Sequence, residues 1–304
     1  EQPLAIARDI KKLYEKLLTA KDDLTIDQPG AFEINIGGTA FNVAANLKSL
    51  GNEVTFCTAK TNSPFSDMMF KVIDDYGFKI YAENIKTDNV GGFVAFHDAK
   101  HDLEKAVSYM PVEFMTPSVS TIESLVKDSR AVVLDCNLSE VMIDTFSFYA
   151  NNFRVPVFVA GVSERKCTRI EKAALNKRVN TFFINEKERA FLCRHLACAN
   201  KTSVLQKKLQ CNLIVTHGER GYEFFDTRGN VHHFKAPDVS AFSNLMGCGD
   251  ALMSGYIHFL LSEGYDKLGS LDILREFIPK IMKKTNANAL ETNKVNTILK
   301  DLIN

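Results

Sequence analysis

Hydrophobic residues along this chain follow two alternating periods. From Asp250 they fall at Leu252, Met253, Tyr256, Ile257, Leu260 and Leu261, which is one face of a helix. Ala251 and Gly255 sit four apart on that helix, so a neighbouring helix can approach it closely. Residues 6–18 show the same period through Ile6, Ile10, Leu13, Leu17 and Leu18. Phe32, Ile34 and Ile36 instead alternate with polar residues, which predicts a half-buried strand ending in Gly37 and Gly38. Further along, the pattern predicts a helix over 41–50 stopped by Gly51, a strand over 53–58, a helix over 67–76 stopped by Gly77, and a strand over 79–85. Residues 91–97 and 104–110 read as a hairpin. Helices follow at 118–127, 140–151, 170–175, 186–197 and 203–209. Strands lie between them at 131–134, 155–159, 181–184 and 213–216. A second hairpin joins 222–225 to 231–234 around Arg228, Gly229 and Asn230, and helices are expected at 270–290 and 295–302.

Strand and helix alternate through most of the chain, and several strands are continuous apolar runs of the doubly buried type. The expected fold is α/β, a mostly parallel central sheet flanked by helices. The first hairpin breaks that rhythm and belongs to a small separate sheet. In such folds ligands bind beyond the C-terminal strand ends. The loops to watch follow Ile36, Leu134, Val159, Ile184 and Thr216, and one precedes Asp250. No repeat, low-complexity stretch or linker interrupts the pattern. It predicts one domain over 1–304, with an N-terminal helix within 1–24.

Composition narrows the function classes. The 304 residues carry 37 basic and 37 acidic side chains, and no long basic run, which argues against a dedicated nucleic-acid surface. No apolar run reaches membrane-spanning length, and the mixed, charged start is no secretory signal. Seven scattered cysteines without a C-x-x-C predict reduced core thiols in an intracellular, reducing compartment, the cytoplasm, and argue against structural zinc. His232 and His233 are adjacent and point to opposite strand faces, so they read as strand residues. The chain opens at Glu1 without Met, as a processed chain or a fragment does.

The chemistry concentrates at Gly247, Cys248, Gly249 and Asp250. Two glycines around a small residue let successive amides point into one concavity, at a helix N-terminus that favours an anion. A carboxylate beside an anion site suits phosphoryl transfer, the amides holding developing charge and Asp250 removing a hydroxyl proton. The same four residues also fit an ordinary helix start after a glycine turn.

Other segments bear on that choice. The chain resembles the ribokinase-like (PfkB) carbohydrate and nucleoside kinases in four segments that occur in the family's order. Gly37-Gly38-Thr39-Ala40-Phe41-Asn42-Val43-Ala44 is similar to the family's G-G-x-x-x-N-x-A, and Asn185-Glu186-Lys187-Glu188 to its N-x-x-E. Thr216-His217-Gly218-Glu219-Arg220-Gly221 is similar to T-x-G-x-x-G, and the Gly247 segment to G-A-G-D. Within the family the resemblance is strongest to pseudouridine kinases, through Asp135-Cys136-Asn137-Leu138-Ser139, the stretch from Val155 to Cys167, and Ala106 to Met110. Asn244 stands where most members carry an acid and that branch often has Asn.

The resemblance implies ATP-dependent phosphorylation of a nucleoside or sugar hydroxyl, pseudouridine first. Asp250 would be the general base, and Gly247, Cys248 and Gly249 the anion hole. Asn185 and Glu188 would hold Mg²⁺ through water, a hard cation suited to one carboxylate. Thr216, Gly218 and Gly221 would line the ATP, with Asn288 in a loop under the adenine. Gly37, Gly38, Asn42 and Asn137 would bind the acceptor. Residues 31–38 and 86–115 would form the lid, through which a homodimer could form. Read without the family, Asn185 and Glu188 also fit a strand-end turn and a first-turn acid, Gly218 and Gly221 a plain turn, and Asn42 a helix-surface amide.

Three departures stand out. The strand and acid that usually grip the sugar are replaced by the charged helix over 6–18, Ala160 and Gly161 replace an acid–proline pair, and Cys248 replaces alanine. They keep open a catalytically weakened kinase-fold subunit acting as a structural part of a larger assembly. A kinase for ribose, fructose or adenosine is the other alternative.

Overall fold

A computed structural model describes residues 36–97, 103–239, 247–262 and 266–284. The helices expected at 6–18 and 295–302, most of the strand at 32–36, and Asn244 and Asn288 lie outside them. The chain divides into two compact units, one of residues 1–38, 56–112 and 286–304, the other of 39–55 and 113–285.

In the first unit, β1 (Thr55–Thr61) and β2 (Lys79–Ile85) pair as a two-stranded sheet, with α2 (Pro64–Asp74) between them in sequence. Ser63 starts α2 by accepting from the Phe65 amide at 3.2 Å. The hairpin expected at 91–110 is present as β3 (Gly92–His97) and β4 (Leu103–Tyr109), an antiparallel pair with a register shift between Phe96 and His97. It forms a sheet of its own, as its departure from the βα rhythm predicts.

The second unit begins with α1 (Thr39–Ser49) and holds a six-stranded sheet. Its strands are β5 (Val132–Asp135), β6 (Val157–Ala160), β7 (Thr181–Asn185), β8 (Asn212–Thr216), β9 (Tyr222–Phe225) and β10 (Val231–Phe234), lying in that order across the sheet. β5 to β8 run parallel, in register through Leu134, Val159, Phe182 and Leu213. β9 and β10 turn back antiparallel as the second hairpin. Because four strands share one direction, Asp135, Ala160, Asn185 and Thr216 emerge along a single edge. The strand residues Val157, Phe158, Val159, Phe182, Ile214 and Val215 are buried, which explains the lack of alternation in their sequence.

Helix α3 (Val119–Lys127) leads into β5, and α4 (Glu140–Asn152), α5 (Glu171–Leu175), α6 (Glu186–His195) and α7 (Thr202–Leu209) connect the parallel strands. α8 (Cys248–Leu261) packs with α1 against the sheet. Val43, Phe158, Phe183, Ile214, Leu252, Met253 and Tyr256 share one apolar cluster. The Tyr256 ring meets Phe158 and Phe183 edge-on, at 6.2 and 5.8 Å. The long helix expected at 270–290 is two helices, α9 (Lys267–Asp272) and α10 (Leu274–Lys284). Asp266 starts α9 earlier by accepting from the Gly269 amide at 2.7 Å, a cap signal that apolar periodicity passes over. α10 lies close on α8 because Gly255 has no side chain. A Cβ there would come within 2.4 Å of Leu274.

Candidate active site

The site starts at the N-terminus of α8. Gly247 adopts φ +88°, a conformation that costs a side chain free energy, and no side chain caps the helix behind it. Among the described residues, no atom lies within 4 Å of where a Cβ would sit on Gly247 or Gly249. The Cys248 thiol turns to Met282, with 3.3 Å between the sulfurs, and burial raises its pKa. An exposed helix start with flanking glycines fits a phosphoryl group, which needs close approach to backbone amides.

Asp250 stands in the first turn of α8. Its Oδ2 accepts from Asn42 Nδ2 at 2.7 Å, so α1 and α8 meet at this carboxylate. Burial raises the Asp250 pKa to about 6, the Asn42 bond lowers it, and the charge of Asp135 raises it again. A carboxyl so placed is a better proton acceptor than an exposed aspartate and still largely ionised at neutral pH.

Asp135, at the end of β5, has a role that sequence reading missed. It is buried and accepts from the Asn137 amide at 2.9 Å, from Asn137 Nδ2 at 3.0 Å and from the Ala40 amide at 3.2 Å. Desolvation raises its pKa against these bonds. The Ala40 bond places the carboxylate at the N-terminus of α1. Gly38 enters α1 at φ +107°. Asn137 is therefore held on three sides, since Lys166 Nζ also donates to its Oδ1 at 2.8 Å. Arg169 donates to the Cys136, Asn137 and Leu138 carbonyls at 3.1 to 3.2 Å and fixes the whole turn. The signal for Asp135 was present in the sequence, as an acid two residues before a polar residue at a strand end.

Asn185 and Glu188 form a reciprocal cap at the start of α6. The Glu188 amide donates to Asn185 Oδ1 at 2.9 Å, and Glu188 Oε2 accepts from the Asn185 amide at 3.0 Å. Asn185 Nδ2 also donates to Glu188 Oε1 at 2.9 Å. The strand-end turn residue and first-turn acid that the sequence allows are thus both present in this cap. Burial raises the Glu188 pKa to about 7 against the Asn185 bonds, and Glu164 adds to the rise. A cation nearby would favour the ionised form. Both oxygens already hold Asn185, and among the described residues no cluster of three or more His, Cys, Asp or Glu could hold a metal directly. The donor set therefore fits a water-bound hard cation such as Mg²⁺.

Gly161, unexplained by sequence, belongs to this pair. A Cβ there would lie 2.6 Å from Glu188 Oε2 and 3.0 Å from Ile184. The next residue, Val162, holds φ +69°, rare for a β-branched side chain, and the Ser163 amide closes the turn on the Gly161 carbonyl at 2.8 Å.

Thr216 ends β8 opposite Asn185, and Gly218 follows, exposed, at φ +60°. Gly221 is glycine for an internal reason, because a Cβ would lie 2.0 Å from the Phe234 carbonyl oxygen. Asn42, Asn137, Asn185, Glu188, Thr216, Gly218, Gly221 and the α8 turn thus all belong to the second unit. Gly37 and Gly38 belong to the first.

Residues 5–271 match the family model of the pfkB family carbohydrate kinases. The chain is 26% identical over 250 residues to the guanosine-inosine kinase of Exiguobacterium acetylicum, covering 77% of this chain and 79% of that enzyme. It is 24% identical over 238 residues to the pseudouridine kinase of Escherichia coli strain K12, covering 75% and 74%. Among solved structures it is similar to ribokinase from Thermotoga maritima, at a TM-score of 0.68, 17% identity and 90% and 91% coverage. It is likewise similar to adenosine kinase from Schistosoma mansoni in complex with 2-fluoroadenosine, at 0.70, 13%, 89% and 83%. With its ribokinase-like α/β fold and an acid following a Gly-Cys-Gly turn at a helix start, the chain belongs to the pfkB family of carbohydrate kinases, a family of phosphotransferases.

Proposed function

We propose that this kinase transfers the γ-phosphoryl group of ATP to a nucleoside hydroxyl, and that its acceptor is pseudouridine. The observation that carries the chemistry is Asp250. Its carboxylate is oriented by Asn42, desolvated, and set in the first turn of a helix that begins at Gly247-Cys248-Gly249. Asp250 takes the hydroxyl proton as the acceptor oxygen bonds to the γ-phosphorus and the bond to the bridging oxygen breaks, releasing ADP. The amides around Cys248 and Gly249 hold the charge that develops on the phosphoryl oxygens. Asn185 and Glu188 would hold the waters of Mg²⁺, which supplies neutralisation of the phosphate charge. Thr216 and Gly218 receive the nucleotide, and Gly38, Asn42 and Asn137 receive the acceptor.

Pseudouridine is supported by the similarity to the Escherichia coli enzyme and by the Asp135, Asn137 and Lys166 cluster, a fixed polar array beside the Asp250 carboxylate. The test is ATP consumption with pseudouridine, uridine, guanosine, inosine, adenosine, ribose and fructose. Turnover with pseudouridine at a kcat/KM above the others, abolished in Asp250→Asn, is expected. Preferred turnover of guanosine or inosine would move the chain to the other relative's activity. No turnover with any acceptor would sink the enzyme reading.

A further inference from the structure

His217 sits between Thr216 and Gly218 in the turn that leads from β8 to β9, and nothing in the mechanism above uses it. Its side chain is only 14% exposed. The ring Nε2 lies 3.0 Å from Glu223 Oε2, and the other Glu223 oxygen lies 2.9 Å from His233 Nδ1. On the ring's far side, Nδ1 is buried, makes no hydrogen bond among the described residues, and lies 3.7 Å from Glu186 Oε2. Glu186 opens α6 beside Asn185 and is paired with Arg220, from the same turn as His217.

These contacts fix the chemistry of the ring. A carboxylate only accepts, so Nε2 carries the proton that Glu223 binds, and the ring's orientation is set from β9. The remaining nitrogen is then aimed at the first residue of α6. The Arg220–Glu186 pair is exposed and contributes little by itself. The enclosed His217–Glu223 contact is worth more, because leaving one partner unbonded inside the protein is costly. One imidazole thus links the turn around Gly218, the hairpin behind it, and the helix start that carries Asn185 and Glu188.

We propose that His217, oriented by Glu223, is a positioning residue that holds the Gly218 turn and the start of α6 in register for the polyphosphate of the nucleotide. This rests on the kinase reading above and adds to it a residue at a position the family motif leaves unspecified. The test measures Mg-ATP binding by calorimetry and steady-state kinetics on the whole chain. The variants are His217→Ala, Glu223→Leu, His217→Gln and the double variant His217→Ala/Glu223→Leu. His217→Ala and Glu223→Leu should each weaken ATP binding and raise the KM for ATP on the order of tenfold. The acceptor KM and the kcat at saturating ATP should stay within about twofold. His217→Gln, whose amide still donates to Glu223, should recover most of the affinity, and the double variant should be no worse than either single one. Folded variants with unchanged ATP affinity would overturn the inference. So would a fall in kcat and melting temperature with the KM for ATP unmoved, the pattern of a purely structural residue. A wild-type chain that binds no Mg-ATP would instead overturn the kinase reading, and this inference with it.

Discussion

At the scale of single residues, Asp250 trades stability for reactivity. Its pKa is about 6 in the fold against an ordinary value near 4, with desolvation as the first cause. A carboxyl raised in this way contributes its full stability at low pH and loses it as pH climbs through that interval, because the folded state disfavours the charge. Asp250→Asn should therefore raise stability at pH 7.5 by about 1–3 kcal/mol while removing turnover. An unchanged or lower melting temperature in a well-folded Asp250→Asn would count against the burial argument. Catalysis needs the ionised form, so kcat/KM should fall about tenfold per pH unit below the Asp250 pKa and level off above it. Asn42→Ala removes the donor that favours the charge, so the acid limb should move to higher pH. A limb that stays in place would show that Asn42 does not set the carboxylate. Asp250 stood out in the sequence as an acid after a glycine turn before an apolar helix, a pattern an ordinary helix start also fits, and the other family-like segments singled it out. Asp135 did not, since its three hydrogen bonds come from Asn137 and from an amide ninety-five positions away.

At the scale of elements, the helix starts hold the candidate site and the helix faces carry stability. The start of α6 is a reciprocal cap whose acid is also the candidate cation ligand. It tolerates only hydrogen in the place of a side chain on Gly161. Gly161→Ala should push the Glu188 carboxylate aside and raise the Mg²⁺ concentration needed for half-maximal activity, with a smaller effect on the acceptor KM. Equal Mg²⁺ requirements in the two proteins would disprove the link. On α8, Gly255 meets Leu274 and Ile281 of α10 at distances that leave no room for a branched side chain. Gly255→Leu should cost about 1–3 kcal/mol by overpacking, read as a lowered urea midpoint at unchanged slope. The two glycines differ in how well sequence reveals them. Gly255 lies four residues from Ala251 on a helical face, so its use is visible in the spacing. Gly161 follows a strand as many glycines do, and its partner is twenty-seven residues away.

At the scale of the whole molecule, four parallel strands deliver Asp135, Ala160, Asn185 and Thr216 to one edge of the second unit, and α1 and α8 bring Asn42 and Asp250 together. A ligand that engages these elements stabilises the fold by mass action. Mg-ATP at a hundredfold excess over its Kd should add about 2.7 kcal/mol, a shift of roughly 5 °C or more in melting temperature, and a chelator should remove most of it. No shift with Mg-ATP would contradict nucleotide binding. Among the described residues no helix is long and apolar enough to cross a membrane, as the hydropathy pattern predicts, and the seven cysteines are free thiols. Local pattern determined which segments are strands and helices, the βα alternation, the glycine turn of α8 and the Asn185–Glu188 spacing. Each of these is a preference of neighbouring residues for one another and is written within about ten positions. The tertiary structure decided that Asn42 is the partner of Asp250, that Asp135 anchors α1, that Gly161 makes room for Glu188, and that His217 meets Glu223 of β9. Those facts depend on which distant atoms the packed sheet brings within about 3 Å, and hydrogen bonding and exclusion of volume at that range leave no trace in the spacing of residues along the chain.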